Sequence, residues 1–163
     1  MIFTADLHVH TFKAFADKNV ETNTRLLNTL NALNQVRDYA VANGEKEIVI
    51  VGDTFETKNM VEALTNNHFS DWVASCNDNS INVTILVGNH DISSLGNEEI
   101  TLLHPLKYFG NVKLVNAPLS VRTPFGSVSY VPFRRNQEVV KEMIRSRVEW
   151  VKENNKSCVD PQF

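Results

Sequence analysis

Val83-Thr84-Ile85-Leu86-Val87-Gly88-Asn89-His90-Asp91 decides how this sequence is read. Its first five residues are mostly β-branched, too few for a helix, and closed by a glycine, so they read as a buried strand. A carboxamide, an imidazole and a carboxylate follow directly at the strand end. The same construction occurs twice earlier. Met1 to Ala5 reads as a short strand leading into Asp6-Leu7-His8, and Ile48 to Val51 leads into Gly52-Asp53, followed by Thr54-Phe55-Glu56. Between these strands lie helical patterns, which predicts an α/β layered fold whose strands are at least partly parallel and shielded by helices. Ligands of such sheets gather beyond the carboxyl ends of the strands, so the three polar motifs are expected to meet.

Working outward, Leu26, Leu30, Leu33, Val36 and Ala40 repeat at helical spacing between Asn23 and Asn43, with Thr22 or Asn23 as the cap and Gly44 at the stop. A weaker helix is expected over about Asn59 to Cys76 and a short one over Glu98 to Leu106. Val112 to Val115 reads as a strand. Leu119 to Thr123 and Ser127 to Val131 read as a hairpin turning at Pro124-Phe125-Gly126. The last helix runs from about Gln137 to Glu153, with Val140, Ile144, Val148 and Val151 on one face. With no internal repeat, low-complexity tract or linker, 1–163 is expected to be a single domain.

Composition bounds the function. A chain of 163 residues with 42% hydrophobic and 21% charged residues suits one buried core. The apolar runs are too short to span a bilayer, and Met1 leads into a strand rather than a signal peptide, so a soluble cytoplasmic protein without membrane contact is expected. A net charge of −3 argues against holding nucleic acid through overall positive charge. The locally basic set Arg122, Arg134, Arg135, Lys141, Arg145 and Arg147 reads first as a solvated helix face. Cys76 and Cys158 lack zinc-knuckle spacing and read as two reduced thiols.

The chemistry sits in the three strand-end motifs. A carboxylate and an imidazole two residues apart, Asp6 and His8, can turn toward one cation and offer it oxygen and nitrogen ligands. Asp53 has two carboxylate oxygens and suits a bridge between two ions about 3.5–4 Å apart, the spacing of two-metal phosphoester chemistry. The carbonyl of Asn89 is a neutral ligand for the second ion. Gly52 and Gly88 allow a sharp turn or a close approach where a Cβ would interfere. Either of the first two motifs alone is ordinary turn sequence; all three in this order, each at a strand end, point to one metal site.

Asp6-x-His8, Gly52-Asp53 and Gly88-Asn89-His90-Asp91 together resemble the signature of the calcineurin-like metallophosphoesterases. Softer marks resemble the SbcD/Mre11-type DNA-repair exonucleases and phage recombination nucleases within that superfamily. These are Thr24-Arg25-Leu26, Gly52-Asp53-Thr54-Phe55, Val112 to Val115, and Tyr130-Val131-Pro132-Phe133-Arg134. The resemblance implies a layered metallophosphoesterase fold and two divalent metal ions, taken as Mn²⁺. Asp6 and His8 would hold the first, Asp53 would bridge, and Asn89 would help hold the second. His90 would be the catalytic histidine that serves the leaving oxygen, with Asp91 either orienting it or standing in a solvent-facing turn. The implied substrate is DNA at duplex ends; an SbcC/Rad50-like ATPase and a homodimer are the implied partners.

The family's further histidines, one at a later strand end and a Gly-His-x-His pair, have no counterpart after His104. The domain is therefore expected to lack its C-terminal part. His10 reads as a solvated loop residue, His68 as a polar helix residue and His104 as packed or capping, rather than as replacement ligands. Two other readings compete. Asp6 to Thr11 also resembles the opening of PHP-type phosphoesterases, which form a distorted barrel, but that leaves 52–53 and 88–91 without a role. The other is a non-catalytic module that binds metal or a partner.

Overall fold

The computed structural model describes residues 1–14, 16–17, 23–94 and 96–154; Thr22 and Cys158 lie outside the described residues. The elements in order are β1 (Ile2–Thr4), α1 (Thr24–Ala42), β2 (Glu47–Val51), α2 (Ala63–Asp78), β3 (Asn82–Leu86), a 3₁₀ turn (His104–Tyr108), β4 (Val112–Val115), β5 (Leu119–Thr123), β6 (Gly126–Tyr130) and α3 (Gln137–Asn154). The first four strands form a sheet in the order β1-β2-β3-β4, and every pairing in it is parallel. β5 and β6 form a separate antiparallel hairpin.

This strand order fixes where the helices go. Parallel strands added one after another in a single direction, each through a right-handed crossover, place every connection on the same face of the sheet. Accordingly the main core joins Ile48, Ile50, Val83 and Ile85 from that face to Leu26, Leu30 and Leu33 of α1, Phe69, Trp72 and Val73 of α2, and Leu103 and Leu106 of the third connection. Phe69 is central, its ring 5.3 Å from that of Phe55 and 5.7 Å from that of Trp72. Burying each such side chain contributes roughly 1.5–3 kcal/mol. Against the opposite face lies a much smaller cluster, in which Val49, Leu86 and Val115 of the sheet meet Tyr130, Leu119, Val121 and Val128 of the hairpin.

α1 matches its sequence pattern closely. Asn23 caps it, its Oδ1 accepting from the amides of Arg25 and Leu26, both at 3.0 Å, while its Nδ2 donates to the Phe12 carbonyl. Caps of this kind stabilise by about 1 kcal/mol. Two expected helices change. α2 begins at Ala63 rather than near Asn59, because Asn59 is spent on a long-range tie: its Oδ1 accepts from the Ser94 amide at 3.0 Å. The helix expected over Glu98 to Leu106 is absent. Ile92 and Thr101 form an antiparallel bridge instead, and only the 3₁₀ turn containing Pro105 is helical. α3 forms where expected, yet none of its residues is buried. Ile144 and Val148, on its apolar face, remain 47% and 46% exposed. No described helix is long and apolar enough to cross a membrane.

Candidate metal centre

Register brings the motifs together. Thr4, Ile50 and Ile85 stand side by side across β1, β2 and β3. Counting forward along each chain sets Asp6 beside Gly52 and Asp53 beside Gly88. The backbone confirms the count: the Asp6 amide donates to the Gly52 carbonyl at 3.3 Å, the His8 amide to the Asp53 carbonyl at 3.0 Å, and the Val9 amide to the Thr54 carbonyl at 2.9 Å. The chain leaving β1 thus runs on alongside the chain leaving β2.

The price of this arrangement is backbone strain, and it falls on the candidate ligands. Only four described non-glycine residues have positive φ, and three are Asp6 (52°), His8 (44°) and Asp53 (50°); the fourth is Ser80. Each left-handed residue without special support costs roughly 1–3 kcal/mol, a burden characteristic of functional sites. Gly52, at φ 81°, completes the turn. Gly88 has a different reason: a Cβ there would lie 2.3 Å from both the backbone nitrogen and Oδ1 of Asp53. The missing side chain is the space into which Asp53 fits.

The ligand atoms of Asp6, His8 and Asp53 lie within 4.8 Å of one another, and those of His8, Glu56 and His90 do so as well. His8 belongs to both groups. Its Nδ1 is buried and lies 2.7 Å from Oε2 of Glu56, yet it makes no aligned hydrogen bond. An imidazole with an unbonded Nδ1, set among the carboxylates of Asp6, Asp53 and Glu56, is a donor set short of a cation. Oxygen and imidazole ligands of this kind suit Mn²⁺, Fe or Zn²⁺. The residues present therefore fit divalent metal.

His90 lies with its ring edge-on to that of His8, centroids 5.0 Å apart. Its amide donates to Asp53 Oδ1 at 2.9 Å, and its Nδ1 is 2.6 Å from the Glu56 carbonyl. A carbonyl only accepts, so Nδ1 carries the hydrogen and Nε2 remains for a ligand or for substrate. Asp91 is fully buried rather than in a solvent-facing turn. Its Oδ1 accepts from the amides of Thr54 (3.0 Å) and Phe55 (3.3 Å), and its Oδ2 from that of Gly88 (2.9 Å). It thus ties the 52–55 loop to the 88–91 loop, while the His90 ring is oriented by the Glu56 carbonyl. Burial raises the Asp91 pKa against the lowering effect of those three amides, and the nearby Asp53 charge raises it further.

Residues 1–159 match the sequence model of the calcineurin-like phosphoesterases. The chain belongs to that family. No curated protein matches it significantly. Within this calcineurin-like phosphoesterase frame, Asn89 occupies the β3 turn between Gly88 and His90, partly exposed. Glu56 is the addition that sequence reasoning missed. The sequence placed it directly after Phe55 with no spacing signal, and only the fold sets it against His8, 48 positions away. The remaining histidines stand apart from both ligand groups among the described residues. His10 packs edge-on against Phe12, and His68 lines a cleft between α1 and α2. His104 is exposed rather than packed, its ring near Tyr108. The open four-stranded sheet is also unlike the barrel of the PHP reading.

The basic set has mostly local partners. Arg134 and Arg135 both face Glu98, while Lys141 and Arg145 pair with Glu138 and Glu142 one turn away. Such exposed pairs contribute little to stability and leave little unopposed positive charge on α3.

Proposed function

We propose that this chain is a metal-dependent phosphodiesterase acting on DNA, in the manner of the SbcD/Mre11-type nucleases. The observation that carries the reading is the convergence of Asp6, His8 and Asp53, three strained residues from two strand ends, on one small volume. Asp6 and His8 would hold one ion, Asp53 would bridge, and Asn89 would contribute to the second. When bound, such a pair, taken as Mn²⁺, supplies Lewis acidity to the phosphoryl oxygens and lowers the pKa of an attacking water.

The chain's own residues do the rest. Glu56 is placed to hold either His8 or a metal through its carboxylate, and its carbonyl fixes the His90 tautomer. His90 in its cationic form gives the leaving oxygen a proton from Nε2. Asp91 keeps the two loops in register during this transfer. Support for the nuclease branch comes from the Thr24-Arg25-Leu26, Thr54-Phe55 and Tyr130 to Arg134 stretches, and duplex DNA ends, an SbcC/Rad50-like ATPase and a homodimer belong to that same reading.

The test is hydrolysis of bis(p-nitrophenyl) phosphate and of linear duplex DNA with and without Mn²⁺, beside Asp53→Asn. Turnover of both that needs Mn²⁺ and Asp53 supports a nuclease. Turnover of the small diester alone removes the DNA assignment. Metal binding that depends on Asp6, His8 and Asp53 but brings no turnover favours a non-catalytic module working through a partner.

A further inference from the structure

A cleft of about 410 Å³ opens beside the metal centre, between the chain leaving β1 and the first turns of α1. Asp6 lines this cleft and also belongs to the Asp6–His8–Asp53 group, so a molecule filling the cleft abuts a candidate metal-holding residue. From α1 its lining takes polar Arg25, Asn28 and Thr29 in the first two turns, and apolar Ala32, Leu33 and Val36 further along the helix. Arg25, Asn28 and Ala32 follow at three and four residues, which places them on one stripe of α1.

Arg25 is unlike most arginines of this chain. Arg37 is bonded to Asp38, Arg134 and Arg135 face Glu98, and Arg145 pairs with Glu142. The exposed Arg25 guanidinium has no ion pair or hydrogen bond among the described residues. The backbone amides at the start of α1 are already taken by Asn23, so any attraction for an anion here comes from the side chains. An unpaired guanidinium fits a phosphate bidentately.

We propose that this cleft is a subsite for the nucleotide adjoining the scissile phosphate, with Arg25 and Asn28 holding that neighbour's phosphate and the apolar wall receiving its sugar and base. This rests on the phosphodiesterase reading and adds a preference for a nucleic-acid strand over an isolated diester. The divalent ions account for one phosphate only; the next along the strand needs its own donor, and Arg25 supplies it. A diester with a single phosphate has nothing to offer Arg25.

The experiment compares the wild type with Arg25→Gln and Arg25→Lys on a short single-stranded oligonucleotide and on bis(p-nitrophenyl) phosphate. Arg25→Gln is expected to lower the preference for the oligonucleotide, as the ratio of the two kcat/KM values, by about 10-fold, mostly through oligonucleotide KM. Binding of a cleavage-resistant phosphorothioate oligonucleotide, read by fluorescence anisotropy, needs no turnover. There Arg25→Gln is expected to reduce the slope of log affinity against log salt by about 0.7, and Arg25→Lys to retain it. An unchanged preference, an equal loss on both substrates, or binding indifferent to Arg25 would overturn the subsite. If the wild type hydrolyses neither substrate, the phosphodiesterase reading fails, and anisotropy still decides the cleft: Arg25-dependent binding supports it, and absent binding overturns it.

Discussion

The two faces of the parallel sheet are built to different standards. On one, two helices and the third crossover enclose a continuous core in which Phe55, Phe69, Ile85 and Ile92 are essentially inaccessible. On the other, a single hairpin contributes Tyr130 and covers only Val49, Leu86 and Val115, Phe3 and Val51 stay 54% and 41% exposed, and no residue of α3 is fully buried. The strained loops of the candidate metal centre are anchored to the thick side. Phe55 and Ile92, which follow Asp53 and Asp91, are both core residues. The lesson is that strain at Asp6, His8 and Asp53 is tolerated because a rigid half-core lies directly beneath them, whereas the thin side can change without moving the site.

The most severe way to break this contrast is Phe69→Ala, which removes a fully buried ring between two other rings. A loss of about 3–5 kcal/mol is expected in urea unfolding. Asp91→Ala should follow, at about 3 kcal/mol, because two buried amides and one half-buried amide lose their acceptor. Divalent-metal affinity measured by calorimetry should fall with it, since the 52–55 and 88–91 loops are no longer tied; a variant with undiminished affinity would show that the tie is irrelevant to the site.

A smaller effect concerns the thiol at the end of α2. Cys76 is buried, and burial pushes its pKa up to about 12 from 9.0. The folded state keeps this proton while the unfolded chain releases it, so stability is expected to fall as pH rises from about 9 toward 12. Cys76→Ala should flatten that part of the pH profile, and an unchanged slope would show that another group titrates there. The least effect is expected from Val148→Ser on α3, within about 0.5 kcal/mol, because the side chain is already half in water. A loss comparable to that of Phe69→Ala would mean that the thin side matters as much as the thick one.

Much of this was legible from sequence. Strand–glycine–polar segments at 48–53 and 83–91 announce themselves locally, since a β-branched run ended by glycine has few other conformations. α1 declares its length through periodicity and its cap at Asn23. The misreadings came where distant partners intervene. Asn59 looked like a helix start but bonds to Ser94, and Glu98 to Leu106 looked helical but lost to the Ile92–Thr101 bridge.

For the candidate site, residue type and order nominated Asp6, His8, Asp53, Asn89, His90 and Asp91, because carboxylates and imidazoles at successive strand ends have a shared chemistry. What only the tertiary structure decided is how they divide the work. The sequence could not reveal that Asp91 is spent on three amides, that Glu56 approaches His8, or that Arg25 faces a cleft beside Asp6. These depend on the register of β1 against β2 and of β2 against β3, and on where α1 lands. Register is set by the sum of core packing across the sheet, and no short stretch of sequence contains it.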